Sequence, residues 1–173
     1  MEECRTGAAE GGRMGRIEEM ESAGDLDGIA DKVRQGATSE RVAAAWKLGA
    51  HGDEGVRRLM PLLLDGNLEE RWRAAMGLTR AGEKAVDPLI GALASERPET
   101  RSAAAWALQE IGDRKAVKPL IKALEDSEDS CRWMAAACLI RFADEEGLKA
   151  LEKALGKESE EGRGYIGLLA EGS

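Results

Sequence analysis

The side chains that most enzymes depend on are scarce in this sequence. It contains one histidine, three cysteines and only 3% aromatic residues. No nucleophile and base pairing can be drawn around His51, so we interpret it as a partly buried residue at a helix end. The cysteines, Cys4, Cys131 and Cys138, have no C-x-x-C spacing, which predicts buried or incidental thiols in a reducing compartment. We expect no catalytic residues, no bound metal and no cofactor.

Long apolar runs are also missing. No stretch approaches the roughly 20 residues needed to span a bilayer, and the N-terminus has no hydrophobic segment of the signal-peptide kind. Acidic residues outnumber basic ones by 33 to 25, which gives a net charge of -8. That charge opposes nucleic-acid phosphates and anionic membranes. The sequence therefore predicts a soluble, cytoplasmic protein that binds neither.

A repeated pattern is what the chain does have. Four segments can be aligned on an arginine: RVAAAWKL at Arg41, RWRAAMGL at Arg71, RSAAAWAL at Arg101 and RWMAAACL at Arg132. A period of about thirty residues is typical of units that bury their apolar faces only by stacking on one another. The pattern predicts a helical repeat protein, in which function lies on the surface.

A second motif lies between the arginines. GEKAVDPLIGAL begins at Gly82 and GDRKAVKPLIKAL at Gly112, with looser copies over 52–63 and 143–155. Each unit is therefore predicted to contain two helices. Together the two motifs resemble the short HEAT repeat class named after phycobilisome bilin lyases. The resemblance implies an all-α, right-handed α-α superhelix of about four two-helix repeats with partial capping units.

The predicted domain organisation follows the repeats. Residues 1–24, rich in Gly and Glu, are expected to be a disordered tail, and residues 25–173 to form the repeat domain. Full units are expected near 40–65, 69–94, 99–125 and 130–156, with half units at 26–35 and 160–170. Asn67 and Glu70 are spaced as a capping box, and Thr100 and Ser130 are placed to cap helix starts. Pro61 predicts a kink or a late start in its helix.

The first helix of each unit has two opposite faces. Counting from the arginine at about 100° per residue, positions three, four and seven carry alanine and leucine, and these are predicted to form the packed face. All four tryptophans lie on the opposite arc, together with methionine and arginine. Trp, Met and Arg in this arrangement are typical of an interface.

Designed binding proteins that resemble this repeat carry their target-contacting residues at the same positions of the concave surface. The resemblance therefore implies a concave, partner-binding face. Its residues would be Trp46, Trp72, Arg73, Met76, Arg80, Trp106, Glu110, Trp133, Met134 and Arg141. The alternative is that the tryptophans only cover the joints between stacked helices.

Two charged sets have competing interpretations. The aligned arginines could form an anion-binding row, but pairing with acidic turn residues such as Asp65, Glu96 and Asp126 is favoured. The cations of the second helices form either a solvated surface or a weak site for an acidic partner. They are Arg57, Arg58, Lys118, Lys122, Lys149 and Lys153.

The function favoured by these observations is a non-catalytic scaffold or adaptor that binds another protein, with homodimerisation through an open end as a further expectation. The alternative is a lyase or chaperone-like subunit acting on a bilin or another cofactor-bearing protein. Deoxyhypusine hydroxylase, a relative with these repeats, holds two irons with repeated His and Glu pairs. Here Gly52 follows His51 and no second histidine exists, which argues against that activity.

Overall fold

The computed structural model describes residues 16–171, and every regular element in that range is a helix. The all-α class predicted from the repeats is confirmed. The chain divides into two compact units, Met1–Ala81 and Gly82–Ser173. Each unit is described by itself below.

Unit 1 contains five helices in its described part. The first, α1, covers 16–22, and the others are α2 (Leu26–Gln35), α3 (Thr38–Gly49), α4 (Gly52–Asp65) and α5 (Leu68–Ala81). Helix α5 packs against both α3 and α4, and α2 packs against α3. The core of unit 1 therefore lies mainly between α5 and the two helices before it, α3 and α4.

Unit 2 contains six α-helices and one 3₁₀ turn among its described residues. They are α6 (Glu83–Ala92), α7 (Pro98–Ile111), the 3₁₀ turn Arg114–Ala116, α8 (Val117–Ala123), α9 (Asp129–Phe142), α10 (Glu145–Leu155) and α11 (Glu160–Glu171). Helix α9 is the central element, because it packs against α7, α8, α10 and α11.

The packed face predicted from the arginine register is confirmed. Its alanines and leucines are at most 2% exposed: Ala44, Ala45, Leu48, Ala74, Ala75, Leu78, Ala104, Ala105, Leu108, Ala135, Ala136 and Leu139. Small residues at positions three and four let neighbouring helices approach closely, and the leucine at position seven fills the space between them. The core is therefore aliphatic, in agreement with the alanine and leucine face predicted from the sequence.

Of the three predicted helix caps, one is confirmed and two are wrong. Asn67 Oδ1 accepts from the Glu70 backbone N–H at 3.0 Å, and Glu70 Oε2 accepts from the Asn67 N–H at 2.9 Å, so the capping box is confirmed. Thr100 and Ser130, by contrast, lie inside α7 and α9. Helix α7 begins earlier because Pro98 has the backbone φ of a first helical residue and needs no N–H partner there.

Two further expectations are corrected. Residues 16–22 are helical and Ile17 is 1% exposed, so the predicted disordered tail is wrong for this segment. Ile17 alone gives no periodic apolar pattern, so the sequence did not reveal this helix. The rest of that tail, with Cys4, lies outside the described residues. A late helix start at Pro61 is also wrong, since α4 already begins at Gly52 and includes Pro61, whereas the kink given as the other possibility stays a prediction.

Helices α7 and α9 end in the same left-handed conformation with different residues. Gly112 has φ 76° and Ala143 has φ 48°. Glycine adopts this conformation without a steric penalty, whereas alanine does so at a cost of about 1 kcal/mol. Among the described helices, none is long and apolar enough to cross a membrane.

Candidate functional site

The candidate site of unit 1 rests on a close approach of α3 and α5. A Cβ atom at Gly49 would collide with the carbonyl oxygen of Gly77, and one at Gly77 with that of Ala45. The two backbones are therefore in direct contact, and the side chains on the outer sides of these helices become neighbours. The same approach places the Arg80 Cβ near Gly49, within reach of the α3 side chains.

Trp46 and Arg80 meet on this outer side. The Arg80 guanidinium carbon lies 5.1 Å from the centroid of the Trp46 ring, a cation–π contact. Trp46 is nevertheless 46% exposed. Val42, one turn before Trp46, is 36% exposed, and Met76, one turn before Arg80, is 37% exposed. Trp72, one turn before Met76, is half-buried. We call Val42, Trp46, Trp72, Met76 and Arg80 the unit 1 patch.

Arg73 does not belong to this patch, although its register predicted an outward side chain. It is only 7% exposed, and its Nη1 pairs with Glu69 Oε2 at 3.0 Å. The Arg41 guanidinium lies 3.4 Å from the same carboxylate oxygen. These two cations hold the pKa of Glu69 below its usual value, with the hydrogen bond from Arg73 as the largest cause. The prediction that Arg73 is available to a partner is therefore wrong.

Unit 2 has an outer face of different character. Glu110 and Arg141 are both exposed and joined by an ion pair of 3.0 Å between α7 and α9. They line a shallow hollow of about 400 Å³ at the ends of these helices, together with Gln109, Gly112, Arg114 and Phe142. Trp106, one turn before Glu110, is half-buried. We call Trp106, Glu110 and Arg141 the unit 2 patch.

Trp133 has the packing role that the sequence left open as the alternative. Its ring stacks on Tyr165 of α11, with centroids 5.1 Å apart and planes 10° from parallel. Its Nε1 donates to Glu158 Oε2 at 3.2 Å. Met134 beside it is 8% exposed, so its predicted outward orientation is wrong. Trp133 thus attaches the last helix to α9, which is the covering role kept as the alternative for the tryptophans.

Comparison with known proteins identifies the repeat. The sequence pattern of HEAT repeats matches residues 56–130 and 86–164, which together cover more than half of the chain. The chain belongs to the HEAT repeat family. No curated protein sequence matches it.

Solved structures support the same HEAT repeat fold. The complex of CpcE and CpcF of phycocyanin lyase from Nostoc sp. is similar with a TM-score of 0.66 and 20% identity, covering 85% of this chain and 98% of that one. A designed armadillo repeat protein in complex with the peptide (KR)4 is similar with a TM-score of 0.51 and 20% identity. That match covers 90% of this chain and 84% of the designed one. At these identities the likeness shows the fold alone.

The aligned HEAT arginines are structural. Arg101 donates from Nε and Nη2 to the two carboxylate oxygens of Asp126, each at 2.7 Å. Arg71 is 4% exposed and donates to the carbonyl oxygens of Leu63 and Leu64 instead of to Asp65. Arg132 donates to Glu158 at 2.7 Å. Pairing with Asp126 is therefore as predicted, and the anion-binding row is not supported.

The one histidine and the two described cysteines lie in structural surroundings. His51 is half-buried and its Nε2 lies 3.2 Å from Glu21 Oε1 of α1, so it connects two helices as a structural residue. Cys131 and Cys138 are buried free thiols, as predicted. Within 16–171, no three His, Cys, Asp or Glu side chains are grouped so as to hold a metal ion.

Proposed function

We propose that this HEAT repeat protein is a non-catalytic scaffold or adaptor, and that another protein docks on the unit 1 patch. The exposed Trp46 under the Arg80 guanidinium is the observation that carries the proposal. A tryptophan that serves only for packing is normally largely buried, whereas the Trp46 side chain is nearly half exposed. Here it stays open to solvent beside two further exposed apolar side chains, Val42 and Met76.

The composition of the patch fits an interface centre. Trp and Arg dominate the residues whose truncation weakens protein complexes, and methionine adapts its shape to a partner surface. Arg80 is already positioned by Trp46, so little side-chain freedom is left for a partner to remove. Docking would bury the Trp46 indole and the Arg80 side chain without rearranging α3 or α5.

The unit 2 patch extends the proposal to a second contact. Glu110 and Arg141 pair with each other in the free protein, and their exposed edges offer one acceptor and one cation to a partner. Exposed ion pairs contribute only about 0–1 kcal/mol, so this patch adds specificity more than affinity. Trp133 contributes less, because Tyr165 covers one face of its ring.

The test is partner capture with the full chain as bait and identification by mass spectrometry. A double variant, Trp46→Ala with Arg80→Ala, removes the centre of the unit 1 patch. Truncating a hot-spot tryptophan costs about 2 kcal/mol or more of binding, so we expect partner recovery to fall by about thirtyfold or more. Affinity of the captured partner is then measured with purified proteins.

The matched control is Leu148→Ala on α10. Leu148 is 42% exposed, close to the exposure of Trp46, but lies outside both patches. The control is expected to recover the partner as the wild type does, and circular dichroism of all variants checks that they are folded. Equal recovery by the double variant would contradict the proposal.

A second candidate function is a lyase or chaperone-like subunit that acts on a bilin or another cofactor-bearing protein. The likeness to the phycocyanin lyase complex of CpcE and CpcF is the observation that favours it. Mixing the protein with a free bilin and recording the visible spectrum separates the candidates. A scaffold leaves the spectrum unchanged, whereas a bilin-handling subunit shifts the absorbance of the pigment.

A further inference from the structure

Two grooves flank helix α8 on the side of unit 2 formed by the second helices. The larger, the α8–α10 groove, has a volume of about 570 Å³ and an apolar floor of Ile121, Leu124, Ala150 and Ala154. The smaller, the α6–α8 groove, has about 360 Å³ and is lined mainly by Ile90, Leu93, Ala94, Pro119 and Ala123. Glu125 lines both grooves, so they adjoin at the end of α8.

The grooves follow from the helix lengths and the residues on α10. Helix α8 has 7 residues after its 3₁₀ turn, whereas α10 has 11, so the second half of α10 has no full-length neighbour on that side. Ala150 and Ala154 are one turn apart on α10 and too small to fill the space. A much smaller cleft shares Leu124 and Ala154 with the larger groove and also contacts the buried Ile166 of α11.

The charges around the grooves have the opposite sign to the chain. Lys122, Lys153 and Lys157 line them, and the structure shows no ion pair for these three within its described range. Arg132 and Glu158 in the larger groove pair with each other at 2.7 Å, and Asp126 in the smaller one pairs with Arg101. Three lysines against Glu125 leave an excess of two positive charges, in a protein of net charge -8.

We infer that the two grooves bind an acidic, amphipathic helix of another protein, whose apolar side chains enter the hollows while its carboxylates pair with Lys122, Lys153 and Lys157. A concave apolar floor accepts protruding side chains, as in other helix-in-groove complexes. A lipid surface requires apolar side chains that protrude from the protein, and this surface has hollows. The open grooves leave a small ligand mostly exposed, unlike sites that enclose 70–90% of a ligand.

The test uses the full chain and a labelled helical peptide with leucine on one face and glutamate on the other. Fluorescence anisotropy is expected to show binding that weakens as salt is raised. A matched peptide with lysine in place of glutamate is expected not to bind. The double variant Lys153→Glu with Lys157→Glu should weaken binding of the acidic peptide by about tenfold or more, because two pairs become repulsions.

A matched control is Lys149→Glu. Lys149 is on the same helix but lies outside the groove lining and pairs with Glu145 at 2.6 Å, so binding should stay near the wild-type level. A second variant, Ala150→Trp, fills the larger hollow without changing charge and should likewise weaken binding by about tenfold or more. Circular dichroism shows whether each variant is folded.

Three results would overturn the inference. They are equal binding of the acidic and basic peptides, unchanged binding in a folded Lys153→Glu, Lys157→Glu variant, and binding to phosphatidylserine vesicles that the acidic peptide does not displace. Trp46→Ala removes the unit 1 patch and leaves these grooves intact, so its binding of the peptide should equal that of the wild type. The groove inference and the proposed function can thus fail independently.

Discussion

Gly77 of α5 lies directly against the carbonyl oxygen of Ala45 on α3, and no side chain fits between them. Gly77→Ala should therefore lower the free energy of unfolding by about 1–3 kcal/mol, because the new methyl group overpacks a backbone contact. Urea denaturation checks the value. The variant should also separate Arg80 from Trp46, which would change the tryptophan fluorescence.

Gly91→Ala is the control for that substitution. Gly91 is helical, and a Cβ added there meets no atom within 4 Å. Alanine favours a helix over glycine by about 0.5–1 kcal/mol, so Gly91→Ala should stabilise the protein. If the two variants changed stability alike, the close α3–α5 approach would not hold in solution.

Trp46→Ala should affect stability much less than it affects partner binding. Nearly half of the side chain is already in water, and its cation–π contact with Arg80 contributes about 0.5–1 kcal/mol at an exposed site. Leu48→Ala, two residues along α3, empties a fully buried site and should cost about 2–5 kcal/mol. Thermal and urea unfolding of the two variants test this order. A larger loss for Trp46→Ala would identify it as a packing residue.

The Arg101–Asp126 pair should make the free energy of unfolding depend on pH in the acidic range. Burial alone would raise the pKa of Asp126, but the hydrogen bonds from Arg101 and from the Glu128 N–H outweigh it and lower the pKa below 3.8. A carboxylate with a lowered pKa stabilises the folded state above its unfolded-state pKa, and this stabilisation is lost as the pH falls through the folded-state pKa. Unfolding free energy should thus be steady near neutral pH and fall below about pH 4.

Asp126→Asn should remove about 2 kcal/mol at pH 7 and flatten the loss in acid, because one charged partner of a largely buried pair is gone. Urea unfolding from pH 3 to pH 7 measures both effects. Glu145→Gln breaks the exposed pair with Lys149 and should change stability by less than about 1 kcal/mol. If the unfolding free energy of Asp126→Asn fell with pH in parallel with that of the wild type, Asp126 would not be the source of the acid sensitivity.

Cys138 should be inert towards alkylating reagents in the folded protein. Burial raises the pKa of its thiol far above the usual range, and its Sγ donates to the Ala105 carbonyl oxygen at 3.2 Å. Because the thiolate is the reactive form, iodoacetamide should label Cys138 only after denaturation. Peptide mass spectrometry distinguishes it from the other cysteines. Native labelling at the denatured rate would show that α9 opens readily.

The sequence predicted the parts of the fold that depend on local spacing. The Ala and Leu positions recur at a fixed distance from each arginine, and the Asn67–Glu70 capping box needs only residues three apart, so both could be read directly. Thr100 and Ser130 were misassigned as caps, because Pro98 and the turn before α9 set those helix starts. Helix α1 was missed because one buried side chain, Ile17, gives no periodicity.

The candidate site was predicted only in part. Helical geometry placed Arg73 and Arg80 on the same outward arc, yet Arg73 is buried and pairs with the exposed Glu69, and Arg80 stacks on Trp46. The spacing of four residues between Glu69 and Arg73 places them on the same side of a helix, and it could have predicted their ion pair. The stack of Trp133 on Tyr165 joins positions too far apart in the chain for any periodic pattern to reveal.

Asp126 joins two arginines that belong to different helices. Its carboxylate accepts from Arg101 of α7, and its backbone carbonyl accepts from Nη1 of Arg132 on α9 at 3.1 Å. Arg132 in turn reaches Glu158, just before α11. The three helices are thus linked through one short turn, so opening at that turn should release them together. Amide hydrogens of α7, α9 and α11 would then exchange with solvent at a common slow rate, as members of one cooperative block.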